Sequence, residues 1–307
     1  MNQTRPTILV FGATGQQGGS AARALLKAGW RVRALVRNPA SPKAASLREA
    51  GVELSRGDFA DTASLRAAMA GAYGVFSVQP SSGQGPELGI SDEEEVRYGK
   101  LIADLAVETG VQHLVYTSVG AVDGKPTGLG HFDSKAEIEA YIRTLPITAT
   151  ILRPAAFMDM LLMPGFGLDQ GLFNFFVQPD QAMQLIAVED IGKFVTLAFA
   201  DPARFGGATL DIASDEVTGR ELEAAFSEVA GRPIRYQRFP DEVLAANPFL
   251  AKLTALVDAG RLNGKADLAA LRDLVSNLRR FPDWLATAGR EPFEAALNAG
   301  GAWAYGN

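Results

Sequence analysis

The sequence predicts an α/β fold: a Rossmann-like doubly wound parallel sheet with a smaller, mostly helical C-terminal lobe. Three observations carry this. The chain has 307 residues, 47% of them hydrophobic, enough to bury a large core. Short β-rich runs alternate with longer amphipathic ones through the first half, the pattern of strands joined by crossover helices. A glycine-rich turn sits at the first strand-to-helix junction.

Strands are expected at ILVFG (8–12), RVRALV (31–36), VELSR (52–56), GVFSV (74–78), HLVYTS (113–118) and TATIL (148–152). Between them, SAARALLKAG, PKAASLREAG, ASLRAAMAG, EVRYGKLIADLAVETG and SKAEIEAYIRTL read as helices, several ending at the glycine that helix C-termini favour. The first domain is placed at 1–155 and the C-terminal lobe at 156–307, with the chain expected to cross back to the sheet. In that second part, AAFMDMLLMPGFGLDQGLFNFF suits either a packed loop over the core or the wall of an apolar pocket. VEDIGKFVTLAFADP, TLDIAS, TGRELEAAFSEVAG and a helical run from about Asp241 to Leu285 complete it.

A net charge of −6 and a pI near 5.1 give no basic footprint, so neither direct nucleic-acid binding nor membrane binding is expected. The chain has no cysteine and only two, widely separated histidines, so no metal site is expected and a reducing, cytoplasmic setting fits. MNQTRPTILVFGATG lacks the apolar run of a secretory leader, and no stretch approaches the length of a membrane span.

Gly12, Gly15 and Gly18 in ILVFGATGQQGGSAARALLKAG stand at GxxGxxG spacing. In such a setting the first glycine permits the turn off the strand, the second lets backbone approach a pyrophosphate, and the third allows close helix packing. The helix N-terminus then presents unpaired N–H groups and the positive end of its dipole to phosphate. At the end of the second strand, ALVRNP has no acid to bind a ribose 2′-hydroxyl; Arg37 stands there instead, with Lys43 nearby. A guanidinium matches a 2′-phosphate, so NADP(H) is the expected cofactor. RGDFAD places Asp58 for the adenine amino group with Phe59 beside the ring, and makes Asp61 a helix cap. SVQPSS leaves Gln79 and Pro80 over the pyrophosphate or nicotinamide ribose. In SDEEEVR, Ser91 and Glu94 form a capping box, and Asp92, Glu93 and Glu95 read as charge favoured at a helix N-terminus.

Taken together, GATGQQGG, VRNP, GDFAD, HFDSKAEIEAYI and LRPAAFMDM resemble the NmrA-like family of atypical short-chain dehydrogenase/reductases, as do VEDIG and DIASDEVTGRELEAAFSEVAGRPIRY further on. The resemblance implies an NADP(H)-binding domain in which the glycine-loop residues Gly12, Thr14, Gly15, Gln16, Gln17 and Gly18, with Arg37, Asp58 and Lys135, contact the cofactor. Pro154, after the sixth strand, is counted with them. The family is similar both to regulators that sense NADP(H) or NAD(P)+ and to reductases of quinones and related substrates.

Where most short-chain reductases carry Tyr-x-x-x-Lys, this chain has His131 and Lys135, on one helical face with Ile138 and Ile142. Lys135 is expected at the nicotinamide ribose. His131 reads equally as a proton donor or as an inert residue, an adjacent ammonium disfavouring imidazolium. The serine of such sites would fall at Thr117 or Ser118, or be lost if Val119 takes its place. The expected task is cofactor sensing with a regulatory protein partner, or reduction of a quinone or similar small apolar substrate, which needs less protonic help. A fold that binds nothing is the third alternative.

Overall fold

The computed structural model describes residues 5–84, 89–120 and 124–299. The chain divides into two compact units, 1–153 with 188–210 and 154–187 with 211–307, so it crosses between them more than once.

The first unit alternates β1 (Thr7–Val10), α1 (Gln16–Lys27), β2 (Arg31–Val36), α2 (Pro42–Glu49), β3 (Glu53–Arg56), α3 (Thr62–Met69), β4 (Gly74–Ser77), α4 (Asp92–Glu108), β5 (His113–Thr117), α5 (Gly130–Ile142) and β6 (Thr148–Pro154). The sheet runs β3-β2-β1-β4-β5-β6, with a seventh strand, Thr209–Ile212, at the edge beside β6. Strands β1 to β6 are paired in parallel throughout. The chain winds outward from β1 through β2 to β3, then resumes on the other side of β1 with β4. That reversal is the switch point beside which ligands of open α/β sheets sit, at the carboxyl ends of the strands.

Each of these six strands lies within two residues of its expected ends. Helices begin earlier than the apolar periodicity indicated: α1 at Gln16, α4 at Asp92 and α5 at Gly130. Their first turns are polar, as suits helix ends whose N–H groups need partners outside the helix. Ser91 and Glu94 make the expected capping box on α4, and Asp61 caps α3 through the N–H groups of Ala63 and Ser64.

The sheet is hydrophobic on both faces. On one side Leu9, Val75 and Leu114 pack with Ile102 of α4 and Ile138 of α5, all fully buried; each such side chain contributes roughly 1.5–3 kcal/mol. Helices α4 and α5 approach closely there, because a β-carbon on Gly99 would lie 2.5 Å from Cδ1 of Ile138. On the other side α1 packs against α6 (Val188–Ala200).

The second unit has its own core, in which Met158, Phe173, Phe226, Phe281 and Phe293 are fully buried. The Met/Phe-rich stretch thus supplies mainly core packing, leaving Met160 and Met163 exposed at its surface. Its Leu172–Phe175 segment is a strand, paired in parallel with Arg235–Arg238. The expected helical run from Asp241 is broken into Asp241–Ala246, Pro248–Asp258, Leu268–Leu274 and Phe281–Ala286. Two of the breaks fall where Pro248 and Pro282 can only start a new helix. Among the described residues, no helix is long and apolar enough to cross a membrane.

Candidate functional site

The glycine turn leaves β1 at the switch point. Gly12 has φ +62°, a conformation that favours glycine, and its carbonyl accepts from the N–H of Gly15 at 2.8 Å. Gly18 is required for a different reason: a β-carbon there would lie 2.3 Å from the carbonyl oxygen of Gly12. Thr14, Gly15 and Gln16 are exposed on the turn. The N-cap of α1 is Gly15, and no side-chain cap hydrogen bond is made there among the described residues. Gln17 is tied down, its amide oxygen accepting from Thr117 Oγ1 at 2.7 Å.

Arg37 is exposed just past β2, with no side-chain partner among the described residues, and Lys43 is exposed at the start of α2. Past β3, Asp58 Oδ1 accepts from the N–H of Ala60, which shapes the turn and leaves Oδ2 outside that bond. Phe59 is half-buried, its ring 5.5 Å from Phe11 and 5.6 Å from Tyr98. Past β4, Gln79 turns inward, donating to Ser77 Oγ at 2.5 Å. Pro154 ends β6, is buried, and is counted with the second unit.

Lys135 lies at the centre of a network of which one part was expected and one was not. Its Nζ donates to Ser81 Oγ (2.9 Å), to Glu95 Oε1 (2.5 Å) and to the carbonyl of His131 (3.1 Å). Ser81 in turn donates to Glu95 Oε2 at 2.8 Å. All three ammonium protons and both carboxylate oxygens are therefore engaged. Glu95 is only 1% exposed. The reading of Glu95 as one more charge at a helix N-terminus is corrected here: it points inward as the counter-ion of Lys135, because a carboxylate so deeply buried must be paired.

A second set of contacts lies one turn away. Ser82 Oγ donates to Asp92 Oδ1, and Asp92 and Asp133 both act on His131. The His131 ring packs on Gly83, where a β-carbon would lie 2.9 Å from it. Burial first, and then the Lys135 ammonium, hold its pKa down to about 4, against the weaker opposite pull of the two carboxylates. His131 is consequently neutral at pH 7. Tyr116, wholly buried in β5, has a hydroxyl with no partner among the described residues, and burial pushes its phenol well above the ordinary range. Ser118 Oγ, just past β5, is likewise buried and unpartnered among the described residues.

These residues fit a group bearing phosphates. The helix N-terminus at the glycine turn has no side-chain cap among the described residues, the Arg37 guanidinium at the next strand end has no partner among them, and Ser118 offers a hydrogen bond that no described protein group takes up.

A doubly wound parallel sheet with a glycine turn at its first crossover defines a protein of the Rossmann-like fold class. The model of the NmrA-like family matches residues 4–270. The chain belongs to that family. It is 34% identical over 257 residues to an NmrA-like family domain-containing oxidoreductase, hkm9, of Aspergillus hancockii, covering 77% of this chain and 76% of that one. Its fold is similar to that of NmrA, a negative transcriptional regulator solved in complex with NADP, with a TM-score of 0.75, 21% identity, and coverage of 95% of this chain and 98% of that one. It is similar also to an NADPH-dependent quinone oxidoreductase from Escherichia coli, with a TM-score of 0.73, 22% identity, and coverage of 92% and 99%.

Proposed function

We propose that the first unit binds NADP(H) and that the protein works as a cofactor-responsive NmrA-like protein. The observation that carries this is the pairing of the glycine turn, closed by Gly18 against Gly12, with Arg37 standing exposed and without a partner among the described residues, where an NAD-specific site would have an acid. Gly15 and the first N–H groups of α1 would hold the pyrophosphate, Arg37 with Lys43 the 2′-phosphate, and Asp58 with Phe59 the adenine. Gln79, Ser81 and Lys135 would border the nicotinamide ribose, Lys135 by exchanging its bond to Ser81 or to the His131 carbonyl. Bound NADPH would supply hydride. A sensing task is supported by the state of three candidate acids: burial and Lys135 hold the His131 pKa down to about 4, Tyr116 is buried, and the Lys135 ammonium is engaged by protein groups.

A reductase is the second reading, and Ser118 favours it: a buried hydroxyl without a described partner at the end of β5 can donate to a carbonyl oxygen. In that reading His131 takes part as a neutral imidazole. A quinone suits such a site, because the hydroquinone anion needs less protonic help than an alkoxide. Calorimetric titration with NADPH, NADP+, NADH and NAD+ tests the first proposal, with tighter binding of the phosphorylated forms expected; no heat with any of the four rejects it. NADPH oxidation across a panel of quinones separates the two tasks. Turnover selects the reductase, and binding without turnover selects the sensor.

A further inference from the structure

The run SDEEEVR and the pair His131/Lys135 lie far apart in sequence, yet Glu95 and Lys135 form one unit. We propose that Glu95 is a positioning residue that sets the charge balance beside the nicotinamide, and so sets the preference of the site between reduced and oxidised cofactor. This rests on the reading that the groove of the first unit takes NADP(H).

The geometry supports it in three steps. First, the pair is complete: Glu95 Oε1 and Lys135 Nζ are 2.5 Å apart, and Ser81 Oγ bridges them, accepting from Nζ at 2.9 Å and donating to Oε2 at 2.8 Å. Its net charge is zero, and its direction is fixed. Second, the pair is one-sided. Glu95 is 1% exposed at its side chain and Lys135 17%, so it is the lysine side of the pair that reaches the surface. Third, the pair stands beside the switch point. Ser81 follows β4, the neighbour of β1 in the sheet, and β1 carries the glycine turn.

The charge arithmetic is then simple. An oxidised nicotinamide ring carries one positive charge and a reduced ring none, while the 2′-phosphate and pyrophosphate are the same in both. Beside a neutral Glu95–Lys135 pair the oxidised ring meets a dipole. Beside a lone ammonium it meets a like charge in a poorly screened setting. The carboxylate thus lets one lysine serve the ribose without driving away the oxidised ring.

The test is the ratio of the NADP+ and NADPH dissociation constants, measured by calorimetry at pH 7 for the wild type and three variants, with 2′-phospho-ADP-ribose as a ligand lacking the nicotinamide. Glu95→Gln keeps the shape and removes the charge; the expected result is a ratio raised about tenfold against NADP+, with 2′-phospho-ADP-ribose affected less than twofold. Glu95→Asp keeps the charge and is expected to hold the ratio within about twofold of the wild type even if both affinities fall. The double variant Glu95→Gln/Lys135→Met removes both charges and is expected to bring the ratio back towards the wild-type value. Equal weakening of all three ligands in Glu95→Gln, or no change in the ratio, would overturn the proposal and leave the pair as a structural cross-link. Failure of the wild type to bind any of the three ligands would instead remove the NADP(H) reading itself, and this inference with it.

Discussion

Gly192 of α6 lies directly on Ser20 of α1: its N–H donates to Ser20 Oγ at 3.2 Å, and a β-carbon on it would fall 2.5 Å from the Ser20 carbonyl oxygen. The helix that carries the glycine turn is held closely against α6 at this point. Gly192→Ala is therefore expected to destabilise the protein by about 1–3 kcal/mol, since the obstacle is main chain and cannot swing aside. Urea unfolding measures it; an unchanged midpoint would show that α6 can move away from α1 at little cost.

Arg37 supplies the discrimination between phosphorylated and unphosphorylated cofactor in the proposed site. Loss of a charge-assisted, two-pronged contact should lower the preference for NADPH over NADH by about 10- to 100-fold in Arg37→Ala, through weaker NADPH binding with NADH little changed. If the wild type binds NADH as tightly as NADPH, the role given to Arg37 is wrong.

Glu139 is fully buried and accepts from Arg153 Nε (2.9 Å), Arg153 Nη2 (2.7 Å) and Arg143 Nη2 (2.7 Å). Removing one side of a buried ion pair costs more than the pair contributes, because the remaining charge stays desolvated. Glu139→Ala is expected to lose about 3 kcal/mol of stability, and a double variant that also replaces Arg153 by Met should recover part of it. A loss below about 1 kcal/mol would mean that the site behaves as a solvated surface pair.

His113 is fully buried in β5, with Nε2 2.8 Å from Thr150 Oγ1, and burial holds its pKa down to about 4 from 6.5. The unfolded chain binds the proton more readily, so this contribution to stability is complete above pH 6.5 and is lost as the pH falls towards 4. His113→Asn should flatten the stability profile between those limits, by up to about 1.4 kcal/mol per pH unit. Chemical unfolding of both proteins between pH 7.5 and 4.5 gives the comparison; parallel profiles would exclude His113 as a source of acid sensitivity.

What could be read from the sequence was set by period and punctuation. Strands β1 to β6 declare themselves as short apolar runs between turn residues, and the glycine turn by its place between a strand and a helix. Lys135 was placed on the buried face of α5 by its spacing to Ile138 and Ile142. The same rule applied to α4 would have found Glu95, which heads the buried series Tyr98, Gly99 and Ile102. It was missed because three further acids surround it, and capping chemistry accounts for such a cluster without any buried member. Ser81 had no comparable signal, lying in a loop whose partner residues are supplied by two distant helices. The pairing of Leu172–Phe175 with Arg235–Arg238 was similarly hidden: a parallel contact between segments so far apart leaves no local pattern.

The missing side chain at Gly99 has a consequence for how the protein responds to its solvent. By letting Ile138 of α5 settle against the backbone of α4, it fixes the spacing of the two helices one turn along from Glu95 and Lys135. The length of that ion pair is then imposed by hydrocarbon packing rather than chosen by the charges. Ionic strength, which loosens surface pairs such as Arg66–Glu108, has little purchase on a pair whose separation is set from within.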